Sequence, residues 1–224
     1  PLTGKITPET DPKRLDELRD MYGLNDPWYE QYTRWIVSSA KGDLGASYTY
    51  KIPVTTIIGE RALNTFWLSL VTTIMLYAIA IPLGVIAGRY QDSLADRGIL
   101  LYSFITYAIP TFVLALLFIY FFGFKLNWFP TTGSVDIRVE SGTFGFYMSK
   151  LYHIILPAFT GAVLGTTSTI QFLRSEIIDA KSMDFVRTAR SKGVPQRKVY
   201  TRHILRNSLL PIAAFIGFTI TGLL

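Results

Sequence analysis

Long apolar runs alternate with polar segments along the chain. Three runs without a charged side chain extend over about residues 63–88, 98–124 and 154–173, and a fourth starts at 212 and is cut off at 224. A helix of about 20 apolar residues is long enough to cross the hydrocarbon core of a bilayer. The pattern predicts an all-α fold, a polytopic bundle of transmembrane helices.

The polar segment before the first run, residues 1–61, is predicted to hold one amphipathic helix. Asp26 followed by Pro27 is typical of a helix start, with Asp26 as the N-cap. Aromatic and aliphatic side chains then recur on one helical face, at Trp28, Tyr32, Trp35 and Ile36. Such a face suits a helix at the membrane–water interface, and packing on a neighbouring subunit is equally compatible with it. Residues 42–45 read as a turn that leads towards the first span.

The third run is the most polar of the spans. Its hydroxyl and amide side chains are Thr160, Thr166, Thr167, Ser168, Thr169 and Gln171. Gly161 and Gly165 form a Gly-x-x-x-Gly step, which allows two helices to approach closely. These small and polar residues indicate either helix packing or the lining of a translocation path, and the sequence leaves both open.

The charges are concentrated in one loop. Residues 174–206 hold nine basic and three acidic side chains, an excess equal to the net charge of the whole chain, +6. The loop at 125–153 holds three basic side chains, and the one at 89–97 has two basic and two acidic ones. Because basic loops stay on the cytoplasmic side, 174–211 is predicted to be cytoplasmic, and 125–153 and 1–61 extracytoplasmic.

The sequence of the basic loop predicts two helices joined at a glycine. One helix is predicted over 175–192 and ends at Gly193, and a second is predicted over 196–210. Phe185, Val186 and Ala189 form an apolar patch with basic side chains around it, which suits insertion into a groove of a partner protein. Binding of the loop to anionic lipid is the main alternative. A DNA-binding helix-turn-helix would fit the pattern but not the apolar spans on both sides.

Composition removes several other classes of function. The chain has a mean hydropathy of +0.31, and its lack of cysteine excludes disulfides and thiolate metal sites. It contains no Gly-x4-Gly-Lys-Ser/Thr sequence, the loop that holds ATP phosphates in many ATPases. The chain starts without Met and stops within an apolar run, so we expect both ends of the protein to lie beyond this sequence.

The basic loop resembles the cytoplasmic "EAA" loop of ABC-importer permeases, in the branch that serves oligopeptides, dipeptides and nickel. The first half of the resemblance is Asp184-Phe185-Val186-Arg187-Thr188-Ala189-Arg190-Ser191-Lys192-Gly193. The second half is His203-Ile204-Leu205-Arg206-Asn207-Ser208-Leu209-Leu210-Pro211. Further matches in the same branch are Tyr22 to Pro27, Lys41 to Gly45, Ile81 to Val85, Pro110 to Phe112 and Trp128 to Pro130.

This resemblance implies a type I ABC importer permease, of which the chain would be a fragment of a six-span subunit. Residues 1–61 would form the extracytoplasmic segment and 62–224 the permease domain. The first helix of the loop would couple to an ATPase through Asp184, Phe185, Val186, Arg187, Ala189, Arg190 and Gly193. No cofactor would bind directly, since partner subunits would use the ATP and Mg²⁺.

The implied partners are a second homologous permease, two ABC ATPase subunits, an extracytoplasmic substrate-binding protein, the peptide substrate and the lipid bilayer, with no nucleic acid. The implied location is the bacterial cytoplasmic membrane. Nickel, dipeptide or glutathione-like cargo would fit the same architecture. A secondary transporter is a further alternative, although the three nearly complete spans lack the ionisable side chains that such proteins often carry.

Overall fold

The computed structural model describes residues 17, 23–47 and 49–222. In this part of the chain the regular structure is helical, and the only β-type pairing is an isolated bridge between Ala46 and Pro53. The all-α expectation is therefore confirmed. The chain divides into two compact units, Pro1–Thr65 and Phe66–Leu224.

The first unit contains helix α1, Trp28–Ala40. The prediction that Asp26 is the N-cap is wrong. Pro27 occupies that position, and its carbonyl accepts hydrogen bonds from the amides of Glu30 and Gln31 at 3.0 and 3.2 Å. The Asp26 carboxylate instead pairs with the Arg34 guanidinium two turns along the helix. The aromatic face of α1 is exposed, so what covers it stays a prediction.

A turn leads from α1 into the first long helix, as predicted. Gly42 and Gly45 adopt φ values of +85° and +74°, which glycine tolerates. Helix α2 then runs from Val54 to Arg89 with Pro82 inside it. It starts well before the predicted span and crosses the predicted boundary at 61/62. Helical hydrogen bonding continues into the charged sequence because it does not require apolar side chains.

The predicted second span, 98–124, is not one helix. It consists of α3, Leu94–Ala108, and α4, Thr111–Lys125, which meet at an angle of 104°. Ile109, the residue before Pro110, has an extended backbone (φ −80°, ψ 124°), because the proline ring disfavours a helical conformation there. The last part of α4, Ile119–Lys125, is π-helical.

Helix α5 covers Phe144–Ser182 and is longer than the predicted third span at both ends. It also includes the start of the helix predicted over 175–192. The break falls instead at Met183, whose backbone is extended, and α6 follows at Asp184–Ser191. Helix α7 runs through Gln196–Thr221, so the fourth span is continuous with the second loop helix rather than beginning at residue 212.

Helices α2 and α5 approach each other through glycine. A Cβ atom on Gly88 would lie 2.7 Å from the Ile177 Cβ and 3.2 Å from the Arg174 carbonyl oxygen. On α5, a Cβ at Gly161 would meet the Thr72 Cγ2 at 3.1 Å, and one at Gly165 would meet a Leu76 methyl at 2.5 Å. The Gly-x-x-x-Gly prediction is confirmed.

The six hydroxyl and amide side chains predicted to pack or to line a path differ in burial, and one of them, Thr169, is half-buried. Thr160, Thr166 and Thr167 are buried. The Thr166 hydroxyl lies 2.9 Å from that of Tyr102, and the Thr167 hydroxyl lies 2.8 Å from that of Thr106. These two hydrogen bonds join α5 to α3. Helix packing is therefore the role of Thr166 and Thr167, whereas the Thr160 hydroxyl bonds to the Leu156 carbonyl of its own helix. Ser168 and Gln171 are exposed, and the translocation path stays a prediction for them.

We expect Gly88→Ala to destabilise the protein by about 1–3 kcal/mol, since the added methyl group meets the α5 backbone and the branched Cβ of Ile177. The thermal unfolding midpoint of the purified protein in detergent would measure this. Gly98→Ala on α3 is the matched control, because nothing lies within 4 Å of its added Cβ. An equal midpoint for the two variants would contradict the close approach of α2 and α5.

Candidate coupling surface

Helix α6 is a short helix with well-defined ends. The extended Met183 places its carbonyl where it accepts hydrogen bonds from the amides of Val186 and Arg187, at 3.0 and 3.3 Å. At the other end Gly193 has φ +72°. Its N–H donates to the Arg190 carbonyl at 2.9 Å, and the Val194 N–H donates to the Ala189 carbonyl at 3.1 Å. These two bonds are those of a Schellman motif, so the predicted glycine stop at the end of the helix is confirmed.

One face of α6 is buried in its own chain. Val186 is 0% exposed and Ala189 is 5% exposed. Both belong to an apolar cluster that also contains residues of α5 and α7, here called the junction cluster. Its other buried members are Leu173, Ile177, Ala180, Val199, Tyr200, Ile204 and Ile212.

This burial corrects the prediction that Phe185, Val186 and Ala189 insert together into a partner. Val186 and Ala189 are three residues apart, so they share a face, whereas Phe185 lies about 100° around the helix from Val186. Only Phe185 remains outside, with 39% of its surface exposed. Val186 and Ala189 therefore fasten α6 to its own subunit and cannot contact another protein in this arrangement.

The outer face of α6 combines one aromatic ring with charged groups. We call Asp184, Phe185, Arg187 and Arg190 the coupling surface; all four are exposed. The Arg187 and Asp184 side chains lie 3.6 Å apart, and both are open to solvent. A pair this exposed contributes little to stability, so these charges are free to meet a partner of complementary charge.

A π-helical segment of α7, Val199–Ile204, joins this region to α2. The Tyr200 hydroxyl donates to the Val85 carbonyl at 3.3 Å. The Arg89 guanidinium lies 4.7 Å from the centre of the Tyr200 ring, within cation–π range. The junction cluster thus reaches the end of α2. Apolar periodicity alone does not reveal the π-helical geometry.

Sequence reasoning also missed an ion pair beside the cluster. Asp96, near the start of α3, is only 1% exposed and pairs with Arg174 of α5 at 2.7 Å. The loop at 89–97 was expected to be simply neutral. Ser93 followed three residues later by Asp96 indicates the start of α3, because Ser93 is the N-cap and accepts the Asp96 N–H at 3.2 Å. The pairing with Arg174, 78 residues away, has no such local signal.

Together, these features define a polytopic membrane protein with an exposed, charged face on the short helix α6. Among the described residues, three helices are long and apolar enough to cross a membrane, and the bent pair α3–α4 would make a fourth if it counts as one span. Residues 80–224 match the family of binding-protein-dependent transport system inner membrane components. The chain belongs to this family and is a multi-pass permease component of a bacterial inner-membrane ABC transport system.

Curated relatives match almost the whole chain. The oligopeptide transport system permease protein AppB of Bacillus subtilis (strain 168) is 37% identical over 98% of this chain and 69% of its own length. The glutathione transport system permease protein GsiC of Escherichia coli O6:H1 is 30% identical over 94% of this chain and 64% of its own length. GsiC of E. coli K12 is 29% identical with the same coverage. The chain thus spans about two thirds of the length of these relatives.

The two faces of α6 predict different chemical reactivity. The chain has no natural cysteine, so a single introduced thiol can be followed. We expect Arg187→Cys to react freely with a soluble maleimide, and Ala189→Cys to react at least about tenfold more slowly, because its thiol is reached only through local opening. The measurement is the labelling rate of the native protein in detergent. Equal rates would contradict the buried face, and denatured samples of both variants provide the control.

Proposed function

We propose that this chain forms part of the transmembrane pathway of a bacterial ABC importer for oligopeptides. The observation that carries the proposal is the two-faced helix α6, with Val186 and Ala189 buried in the junction cluster and Phe185 exposed beside Arg187 and Arg190. The similarity to the oligopeptide permease of B. subtilis favours peptide cargo. The similarity to the glutathione permeases makes a small peptide conjugate the second candidate, because their identity to this chain is lower.

In this proposal α6 is the coupling helix. Phe185 seats in a groove of an ABC ATPase, and Asp184, Arg187 and Arg190 contact its rim. Gly193 fixes the turn that follows, while Val186 and Ala189 hold the helix on the permease. ATP and Mg²⁺ are bound by two ATPase subunits and not by this chain, which acts as a permease without ATPase activity of its own.

Movement passes from the ATPases to the spans through packed side chains. A push on the coupling surface is transmitted by Val186 and Ala189 to the junction cluster, which connects α6 to α5 and α7. Close-packed cores move as units rather than deforming continuously. Closure of the ATPases therefore shifts the spans between inward-facing and outward-facing arrangements.

The sidedness of the loops follows from their charge. Residues 174–211 face the cytoplasm and the ATPases, and 1–61 and 125–153 face outward. A second homologous permease completes the pathway, and an extracytoplasmic binding protein delivers the cargo to the outer face.

Photo-crosslinking in native membranes tests the partner of α6. A photoreactive residue replaces Phe185 in the full-length protein, and we expect it to capture a subunit with nucleotide-binding motifs. The matched control places the same residue at Val186, which faces the junction cluster and should give crosslinks within the permease. Capture of lipid alone at position 185 would contradict the coupling assignment.

A second prediction concerns the turn after α6. We expect Gly193→Val to uncouple ATP hydrolysis from peptide uptake, because a β-branched residue resists a φ of +72°. No atom lies within 4 Å of the added Cβ, so the effect comes from the backbone and not from a clash. The measurement is the number of ATP molecules hydrolysed per peptide imported.

Gly193→Asn is the control for this prediction, since asparagine adopts the left-handed conformation more easily than other residues. It should retain most of the coupling. Full transport by the valine variant, with normal assembly of the importer, would show that the turn does not matter for coupling.

A further inference from the structure

Two cationic side chains of α5 hold the turn between α2 and α3. Arg174 binds Asp96 near the start of α3, and Lys181 binds the end of α2. The two residues are seven positions apart, so they lie on the same face of α5. Lys181 is in the last turn of α5, two residues before Met183.

The Arg174–Asp96 contact is bidentate and directional. The Arg174 Nε and Nη2 donate to the two carboxylate oxygens of Asp96 at 2.7 and 2.8 Å. One of these oxygens also accepts the N–H of Asp92 at 2.8 Å. The carboxylate is almost fully buried, and a buried charge that loses its partner is strongly destabilising. The first turn of α3 is therefore tied to one place on α5.

Lys181 makes the corresponding contact with α2. Its ammonium group donates to the carbonyl oxygens of Gly88 and Arg89 at 2.6 and 3.1 Å. These are among the last carbonyls of the helix, which have no partner within it, and a cation is favourable at this end. Lys181 is thus a cap for α2 that is supplied by α5.

We infer that Asp96, Arg174 and Lys181 are positioning residues that make the α2–α3 turn follow α6 when the importer changes conformation. This inference rests on the function proposed above. Apolar contacts are non-directional, whereas charge-assisted hydrogen bonds fix both distance and orientation. Without the two cations, displacement of the end of α5 would no longer be passed in full to α2 and α3.

The test uses the complete importer, reconstituted with both permeases, the ATPases and the binding protein. We expect Asp96→Asn and Arg174→Gln each to raise the number of ATP molecules hydrolysed per peptide imported by about fivefold or more. Lys181→Gln should act in the same direction. Arg97→Gln is the matched control, since Arg97 adjoins Asp96 in the sequence and is exposed.

The charge-exchanged double variant, Asp96→Arg with Arg174→Asp, separates positioning from simple loss of stability. Assembled complex is quantified first, and only assembled material is assayed. Partial recovery of the ATP-to-peptide ratio by the exchanged pair supports the inference. The inference is overturned if the ATP-to-peptide ratio in all three single variants equals that of the unaltered importer. This includes the case in which uptake and hydrolysis fall in parallel.

A second readout does not depend on the cargo. Spin labels replace Gln91 in the α2–α3 turn and Ser191 at the end of α6, both exposed. On ATP binding, the distribution of distances between the two labels should stay narrow in the unaltered complex and broaden in the Arg174→Gln complex. Equally narrow distributions in both complexes overturn the inference. Lack of ATP-driven peptide uptake by the unaltered complex overturns the proposed function instead, and the distance comparison still tests the positioning role of Arg174.

Discussion

Val186 and Ala189 pack α6 against α5 and α7, the two helices that flank it in the sequence. Their burial against Leu173, Ile177 and Ile204 turns a short basic helix, which would not be stable alone, into a fixed part of the bundle. The rest of the arrangement depends on this contact. It leaves Phe185 outside, orients the neighbouring arginines, and gives any force applied to α6 a packed route into α5 and α7.

Around this apolar contact the chain uses two other kinds of packing. Glycines at 84, 88, 161 and 165 bring α2 and α5 close together, and Gly84 and Gly88 face backbone carbonyl oxygens of α5. Hydroxyl pairs between α3 and α5 then add directional contacts to the bundle. In a bilayer, where association gains little from hydrophobic burial, such close contacts and interhelical hydrogen bonds hold a bundle together.

The sequence allowed prediction of the helical class, the apolar spans, the Gly161–Gly165 approach and the stop at Gly193, because each depends on local chemistry. Helix ends were less predictable, since hydrogen bonding in α2 and α5 continues beyond the apolar residues. The bend at Ile109 had a local cause in Pro110, but the length of the apolar run hid it. The inward face of α6 could not be read locally, because Phe185 and Val186 are both apolar and only the tertiary partners distinguish them.

The π-helical segment at Val199–Ile204 sets the rotational phase of everything that follows it. Each helical residue turns the chain by about 100°, and a π-type turn accommodates an additional residue without ending the helix. Shortening this segment by one residue would rotate the remainder of α7, including Phe215, by roughly that angle relative to α5. The edge-to-face contact between Phe215 and Phe172, with ring centres 5.0 Å apart, would then be lost. The length of this small irregularity therefore determines which side of the last helix faces the bundle.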